Sequence, residues 1–238
     1  MALPIANVAK YELTLPSQQK TISFRPFLVK EEKILLVALE SGKPEEMLTA
    51  VKEIVKACTF GTIEPDEYPI FDIEYIFLNI RAKSVGEVAK LKVLCPDDKK
   101  SYGNVDVDLT KVEVYVDDTH SNNIVLDESR KLGVVLKYPS LKVIDSGILE
   151  DNIKVSAMYD LIKKSVDHIY EGDKMYYAKD STPKELDDFI DSLTGEQMRK
   201  IQNFFSSMPR LEHKIKVTNP NTKVESEVTL KGLTDFFG

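Results

Sequence analysis

The sequence is poor in the residue types that build reactive or metal-binding centres. It contains no tryptophan, and only two cysteines and three histidines among 238 residues. Cys58 and Cys95 lie in unlike sequence contexts, so we expect two free thiols and no disulfide, as is typical of a reducing compartment. The histidines are dispersed, with His120 in a predicted loop, His168 in a predicted helix and His213 in a predicted strand. We therefore predict no catalytic residue, no cofactor and an incidental role for each histidine.

Clustered positive charge and long apolar runs are scarce as well. The formal net charge is −7 and Lys and Arg form no long cluster, which argues against broad binding to nucleic-acid phosphates. No run approaches the roughly 18–20 apolar residues that span a bilayer. Met1-Ala2-Leu3-Pro4 lacks the basic start and apolar core of a secretion signal. The 42% hydrophobic content still allows packed cores, so we predict a folded protein that binds no nucleic acid and has no membrane span.

Signature motifs of enzymes are absent from the sequence. It has no phosphate-binding glycine loop, no dinucleotide fingerprint and no nucleophile elbow. The acidic pairs Asp117-Asp118 and Asp187-Asp188 are adjacent in sequence. Adjacent side chains on a helix or strand point in different directions, so these pairs are poorly placed for shared acid–base work. We predict that the protein is not an enzyme.

One turn has the outline of a zinc-ribbon knuckle. In Cys95-Pro96-Asp97-Asp98, the position of a second cysteine is taken by Asp98. The matching turn in the second half, Asn219-Pro220-Asn221-Thr222, has no cysteine. Structural zinc takes four ligands, so the sequence predicts turns without metal at both places.

The two halves of the chain repeat one order of elements. A β segment broken by a basic residue and a proline precedes helical periodicity, and a hairpin-like stretch closes each half. The matching segments are 21–28 with 134–141, 50–56 with 161–167, and 73–83 with 197–207. This predicts an α+β fold of two similar lobes, each with short antiparallel strands, two or three helices and a ribbon-like hairpin, produced by tandem duplication. The predicted parts are an arm at 1–11 and lobes at 12–116 and 124–238.

Capping and turn residues give further local predictions. Pro44 suits the first turn of a helix, and Asp72 suits the cap of the next one. Capping boxes beginning at Thr182 and Thr194 predict two helix starts. The aromatic-rich stretch 172–179 is predicted to be a connecting loop.

Several segments together resemble a family of baseplate hub and hub-assembly proteins from T-even-like contractile-tailed bacteriophages. The similarity is densest over residues 11–90 and covers most of the chain in order. The segments that carry it are 11–16, 24–33, 58–61, 71–78 and 81–87, with the closing pattern 230–237. Some relatives are similar in having ribbon-like cysteine pairs at the hairpins, and this chain departs from them there.

The resemblance implies a structural component or assembly factor of the tail baseplate hub. Its partners would be other baseplate and hub proteins, with self-association as an alternative. It would act in the host cytoplasm during assembly, with the virion tail baseplate as a second location. We predict contact through hairpin edges and aromatic segments, because added strands and aromatic side chains are common means of protein binding. The candidate partner-binding residues are Phe24, Arg25, Pro26, Phe27, Tyr176, Tyr177, Phe236 and Phe237.

Two other classes of function are also compatible with the sequence. One is a hydrolase or transferase with a site around His168 and nearby carboxylates. The other is a nucleic-acid adaptor whose zinc-ribbon-like turns have lost their metal.

Overall fold

A computed structural model describes residues 7–142 and 155–236. These residues form an α+β structure, as the sequence predicts, with six α-helices and several small antiparallel sheets. The helices are α1 Val29–Ser41, α2 Pro44–Cys58, α3 Ile70–Val85, α4 Val155–Ser165, α5 Pro183–Asp191 and α6 Gly195–Ser206. No helix in this described part of the chain is both long and apolar enough to cross a membrane.

Eleven strands in the described residues pair into four sheets. The strands are β1 Tyr11–Thr14, β2 Thr21–Phe24, β3 Val88–Leu94, β4 Tyr102–Asp108, β5 Glu113–Tyr115, β6 Asn123–Asp127, β7 Leu132–Leu136, β8 Val166–Glu171, β9 Lys174–Tyr177, β10 Arg210–Thr218 and β11 Glu225–Lys231. Their order is β1-β2, β3-β4, β11-β10-β5 and β6-β7-β8-β9, and every pair is antiparallel. Both hairpins expected from the sequence, β3-β4 and β10-β11, are therefore present.

The described residues divide into two compact units. Unit 1 combines residues 7–115 with 210–236, and unit 2 lies within 116–209. This division differs from the predicted lobes, 12–116 and 124–238, because the last hairpin clusters with the first segment of the chain rather than with its own half. Tandem duplication stays a prediction.

A hydrophobic core around the strands of unit 1, its β core, is built from both of its chain segments. Apolar residues of α3 and the β3-β4 hairpin meet residues that follow position 210. Its buried members are Leu78, Ala82, Ala89, Leu91, Val107, Leu109, Val112, Leu211, Ile215, Leu230 and Phe236. The last hairpin is therefore an internal part of unit 1.

Unit 2 packs its four-stranded sheet against helices. Along β6, buried side chains alternate with more exposed ones, as expected for a sheet with one covered face. Its buried core consists of Ile124, Leu126, Val134, Leu136, Ile162, Val166, Ile190, Ile201 and Phe204. The amphipathic helices α5 and α6 supply the last three of these.

Three helix starts predicted from local sequence signals agree with the structure. Pro44 is the first residue of α2. Thr182 caps α5 and Thr194 caps α6, each through a reciprocal bond pattern with the residue three positions later. These three predictions are confirmed.

Three other local predictions are wrong. The predicted helix at 161–167 ends at Ser165, and the chain continues as strand β8. The predicted loop at 172–179 contains strand β9, which pairs with β8. Helix α3 begins at Ile70 with Pro69 as its cap, whereas the predicted cap, Asp72, is buried and bonds to Ser17.

Candidate interaction surfaces

The predicted contact segment 24–27 links β2 to α1 and is largely internal. Phe24 is buried, and its ring centroid lies 5.6 Å from that of Tyr11. Pro26 and Phe27 are partly buried, and the Phe27 N–H donates to the Ser84 hydroxyl oxygen at 2.9 Å. Contact with a partner at this segment stays a prediction, and the Phe24 ring lacks the exposed surface that such a contact needs.

Arg25 is held inside unit 1 by three acceptors. Its guanidinium donates to Glu31 Oε1 at 2.9 Å and to the Pro26 carbonyl at 2.9 Å, and it lies 3.6 Å from Cys58 Sγ. Glu31 is 2% exposed, and its other oxygen accepts the Leu28 N–H at 2.8 Å at the start of α1. Burial acts to raise the pKa of Glu31, but the bonds from Arg25 and Leu28 outweigh it and hold that pKa below its usual range. This buried pair joins the β1-β2 hairpin to α1.

Tyr176 and Tyr177 lie on an exposed edge strand of unit 2. Within the described residues β9 pairs on one side only, with β8, and all four of its side chains are exposed. The Tyr177 hydroxyl lies 3.8 Å from Met175 Sδ, and Lys179 Nζ lies 5.4 Å from the Tyr177 ring centroid. The result is an aromatic and apolar surface on an edge strand, whose Tyr177 carbonyl accepts the Ser181 hydroxyl at 3.1 Å.

The C-terminal segment turns back into unit 1. Gly232 has a φ of 63°, a left-handed conformation that favours glycine. The next residue, Leu233, donates its N–H to Glu74 Oε1 at 3.1 Å. Phe236 is fully buried in the core of unit 1. Phe237, the other aromatic residue predicted to anchor a contact, lies outside the described residues.

We expect Glu74 to make the stability of unit 1 depend on pH. Burial raises the pKa of Glu74 from 4.5 to about 7, although the Leu233 N–H acts to lower it. The folded form therefore binds the extra proton between these values, so the free energy of unfolding decreases as pH rises through this range. A pKa shift of this size lowers the free energy of unfolding by about 2–3 kcal/mol between about pH 5 and about pH 7.5.

Urea unfolding of the wild type and of Glu74→Gln at these two pH values measures the effect of Glu74. The amide cannot ionise and still accepts the Leu233 N–H, so the variant should lose less stability than the wild type as pH rises. An identical pH dependence in the two proteins would contradict the assignment.

The two knuckle-like turns, which begin 124 positions apart at Cys95 and Asn219, meet in unit 1. Asn219 is fully buried, and its Nδ2 donates to both carboxylate oxygens of Asp97 at 3.0 Å. The Thr222 hydroxyl donates to Asp97 Oδ2 at 2.5 Å, and Asn221 Nδ2 donates to the Ser101 hydroxyl at 2.9 Å. We call this arrangement of residues 95–101 and 219–224 the turn pair.

The two members of the turn pair share one backbone geometry. Lys99 donates its N–H to the Cys95 carbonyl at 2.9 Å, and Lys223 donates to the Asn219 carbonyl at 3.0 Å. Both lysines are left-handed, with φ of 53° and 64°. Gly103 lets the hairpins approach closely, because a Cβ there would lie 2.9 Å from the Thr218 carbonyl oxygen. The correspondence inferred from sequence between the two turns is thus present in their geometry.

Side-chain hydrogen bonds occupy the centre of the turn pair. The Asn219 and Thr222 bonds lower the pKa of Asp97, and bonds from Ser101 lower the pKa of Asp98. Cys95 is buried. Among the described residues, no three His, Cys, Asp or Glu side chains are placed to hold a metal ion together. In this arrangement Asp97 is the acceptor that joins the two turns.

Removing the Asn219 side chain should weaken this junction. Asn219→Ala takes two donors from Asp97 and removes the oxygen that accepts the Asn221 and Thr222 N–H groups. We expect a loss of about 1–3 kcal/mol in the free energy of unfolding, as is common when buried groups lose their partners. Urea unfolding measures it, with Lys223→Ala as an exposed control in the same turn. Equal stability of the two variants would contradict a structural role for Asn219.

The three histidines lie on different elements. His120 belongs to unit 2, where its ring nitrogens lie 2.9 Å from the Ser207 hydroxyl and 3.1 Å from the Tyr138 hydroxyl, and burial lowers its pKa. His168 lies on β8 rather than in the predicted helix, and its Nδ1 is 2.8 Å from Asp167 Oδ2. His213 lies on β10.

Comparison with known proteins identifies the family. A family model described as T4 bacteriophage base plate protein matches residues 8–238. The chain therefore belongs to this family. Among curated proteins no match is found, and no solved structure matches either.

Membership in the family establishes the broad role. The protein is a structural protein of a bacteriophage tail baseplate, and it associates with other baseplate proteins. A structural family of this kind favours a role without catalysis. Sequence reasoning identified the family, but it did not foresee the buried Arg25–Glu31 pair or the bonded turn pair, because both depend on contacts between separate segments.

Proposed function

We propose that this protein is a component or assembly factor of the baseplate hub and that it acts by binding neighbouring proteins through the β9 edge. The observation that carries this proposal is the exposure of every side chain on that edge strand. Met175 is 62% exposed, and Tyr176 and Tyr177 are 48% and 41% exposed. Tyrosine side chains are enriched among the residues that dominate binding energy at protein interfaces.

The geometry of β9 suits the addition of a partner strand. Alternate side chains of a strand face opposite sides of the sheet, so Tyr176 projects to one side and Met175 with Tyr177 to the other. A strand added beside β9 would bond to main-chain groups on its outer edge and contact one of these rows on each face. Main-chain bonds then supply affinity, and the alternating side chains supply specificity.

The assignment to the hub is supported by the sequence resemblance over residues 11–90. The assembly-factor alternative is a protein that binds hub proteins during assembly and leaves before the particle is complete. Both roles need a binding surface, and they differ in whether the protein stays in the tail.

The first experiment separates these two roles. Mass spectrometry of purified tails should detect the protein in fixed ratio to hub proteins if it is a component. For an assembly factor, it should be absent from tails but cross-linked to hub proteins in extracts of infected cells. Recovery only in contact with copies of itself, or with baseplate proteins outside the hub, would overturn the hub proposal.

The second experiment tests the β9 surface. The double variant Tyr176→Ser and Tyr177→Ser should reduce cross-linking to the hub partner at least tenfold, without changing the thermal unfolding midpoint. Tyr102→Ser is the matched control, because Tyr102 is also an exposed strand tyrosine, at 59%, but lies on β4 of unit 1. Normal cross-linking of the double variant would remove β9 from the proposal.

A further inference from the structure

Helix α1 presents an unusual amount of apolar surface. Its only buried side chains are Glu31, Leu35 and Ala38. Val29, Leu36 and Val37 are 65%, 52% and 64% exposed, and Ile34 and Leu39 are exposed as well. Isolated apolar residues are normal on a protein surface, but a contiguous group of them marks a site of interaction.

Part of this surface forms one wall of a groove between α1 and α2. The groove has a volume of about 550 Å³. Its α1 wall consists of Lys33, Ile34, Val37 and Ala38, and its α2 wall of Glu45, Glu46, Thr49, Ala50 and Glu53. We call this feature the α1/α2 groove. All of it lies in unit 1.

The charges of the α1/α2 groove are mainly negative. Three carboxylates face one ammonium group, that of Lys33. Glu46 is paired with Lys43 at 2.7 Å. Glu45 also attracts the Lys43 ammonium group, and both Glu45 and Glu53 are exposed. An apolar floor whose walls carry three carboxylates and one ammonium group fits an occupant that is both apolar and basic.

The spacing of Glu45 and Glu53 indicates how far apart the matching cations would be. Glu45 and Glu53 are eight positions apart on α2, which corresponds to about 12 Å along the axis. On a second helix the same distance separates residues seven or eight positions apart, and these lie near one face. An amphipathic helix with lysine or arginine at that spacing beside an apolar stripe would therefore match the groove.

We infer that the α1/α2 groove binds an amphipathic helix of another baseplate protein, with an apolar stripe between basic residues seven or eight positions apart. This inference rests on the proposed function, since it adds a second contact to a protein that binds its neighbours. A second copy of this chain fits less well, because the acidic walls of two grooves repel each other. The segment 1–6, Met-Ala-Leu-Pro-Ile-Ala, contains no lysine or arginine to match the carboxylates.

A photo-activated cross-linking residue at Val37 tests the occupant of the groove. Val37 is exposed, so the substitution should leave folding unchanged, which thermal unfolding verifies. The protein is produced in infected cells, irradiated during assembly, and the cross-linked peptide is sequenced by mass spectrometry. We expect a peptide from another baseplate protein with the basic and apolar pattern described above.

Charge reversal supplies the second part of the test. Glu45→Lys with Glu53→Lys should reduce the yield of the Val37 cross-link at least tenfold. Glu128→Lys with Glu196→Lys is the matched control, because these exposed glutamates lie in unit 2, and it should leave the yield unchanged.

Each other outcome overturns the inference. A cross-link to residues 1–6, to a second copy, or to a peptide without the basic pattern would show a different occupant. An absent cross-link, or one insensitive to charge reversal, would show that the groove is not a binding site of this kind. The same cross-linking residue placed at Tyr176 tests the β9 surface separately. A cross-link at Tyr176 with none at Val37 would contradict this inference but agree with the proposed function.

Discussion

Replacing Glu31 with alanine should lower the free energy of unfolding by about 3–5 kcal/mol, the usual cost of breaking a buried ion pair from one side. The Arg25 guanidinium would lose its charged partner while the Pro26 carbonyl and Cys58 Sγ still surround it. The Leu28 N–H would also lose its acceptor at the start of α1. Urea unfolding followed by circular dichroism measures the change.

Two further variants at α1 separate the causes. Glu31→Gln keeps an oxygen for the Leu28 N–H but removes the negative charge. Its free energy of unfolding should therefore lie between those of the wild type and Glu31→Ala. Glu32→Ala is the control, because Glu32 is exposed in the same turn and its loss should cost less than about 0.5 kcal/mol. A similar small effect for Glu31→Ala would contradict the buried-pair interpretation.

The second large effect is expected at the C-terminal end of the described chain. Phe236→Ala should destabilise unit 1 by about 3–5 kcal/mol, because it leaves a cavity among Leu78, Leu230 and their neighbours. Hydrogen exchange should show faster exchange in α3 and β11, while unit 2 keeps its protection. Lys231→Ala, an exposed change in the same segment, should have little effect.

This result would also distinguish two roles for Phe236. The sequence predicts a partner contact, whereas the structure buries the ring completely. If Phe236 acts through the core, the variant loses stability in the isolated protein. Normal stability together with lost partner binding would instead support the original prediction.

Features that depend on neighbouring residues could be predicted from the sequence. Thr182 with Glu185 and Thr194 with Gln197 specify helix starts within three positions. The alternating apolar residues of β6 specify a strand without knowledge of its partner. The class of fold follows from such local signals, because periodicity and capping are set by residues close in sequence.

Features that depend on distant residues could not be predicted in this way. The sequence predicts a helix over 161–167, but pairing with β7 makes the chain a strand from Val166 onward. Asp72 has the sequence character of a helix cap, yet Ser17, 55 positions earlier, provides its partner. Tertiary contacts of this kind override local preference.

The exposure of the candidate surfaces also depends on distant residues and could be predicted only in part. A basic residue next to a proline suggests an exposed contact. Arg25 instead contacts the buried carboxylate of Glu31, six positions later, and the thiol of Cys58, 33 positions later. The sequence did single out Tyr176 and Tyr177, whose exposure on β9 the structure shows. The groove between α1 and α2 had no sequence signal, because the helical periodicity of α1 is equally consistent with a fully covered helix.

Unit 1 is built from two separate segments of the chain, and this affects how it folds during synthesis on the ribosome. Its β core needs Leu211, Ile215, Leu230 and Phe236, which are translated after all of unit 2. At roughly 5–20 residues per second, the first segment waits on the order of 5–20 s for these residues. During that interval, the apolar side chains of α3 and the β3-β4 hairpin are uncovered on the nascent polypeptide. Unit 2 has no such delay, so its core is able to form before the β core of unit 1 does.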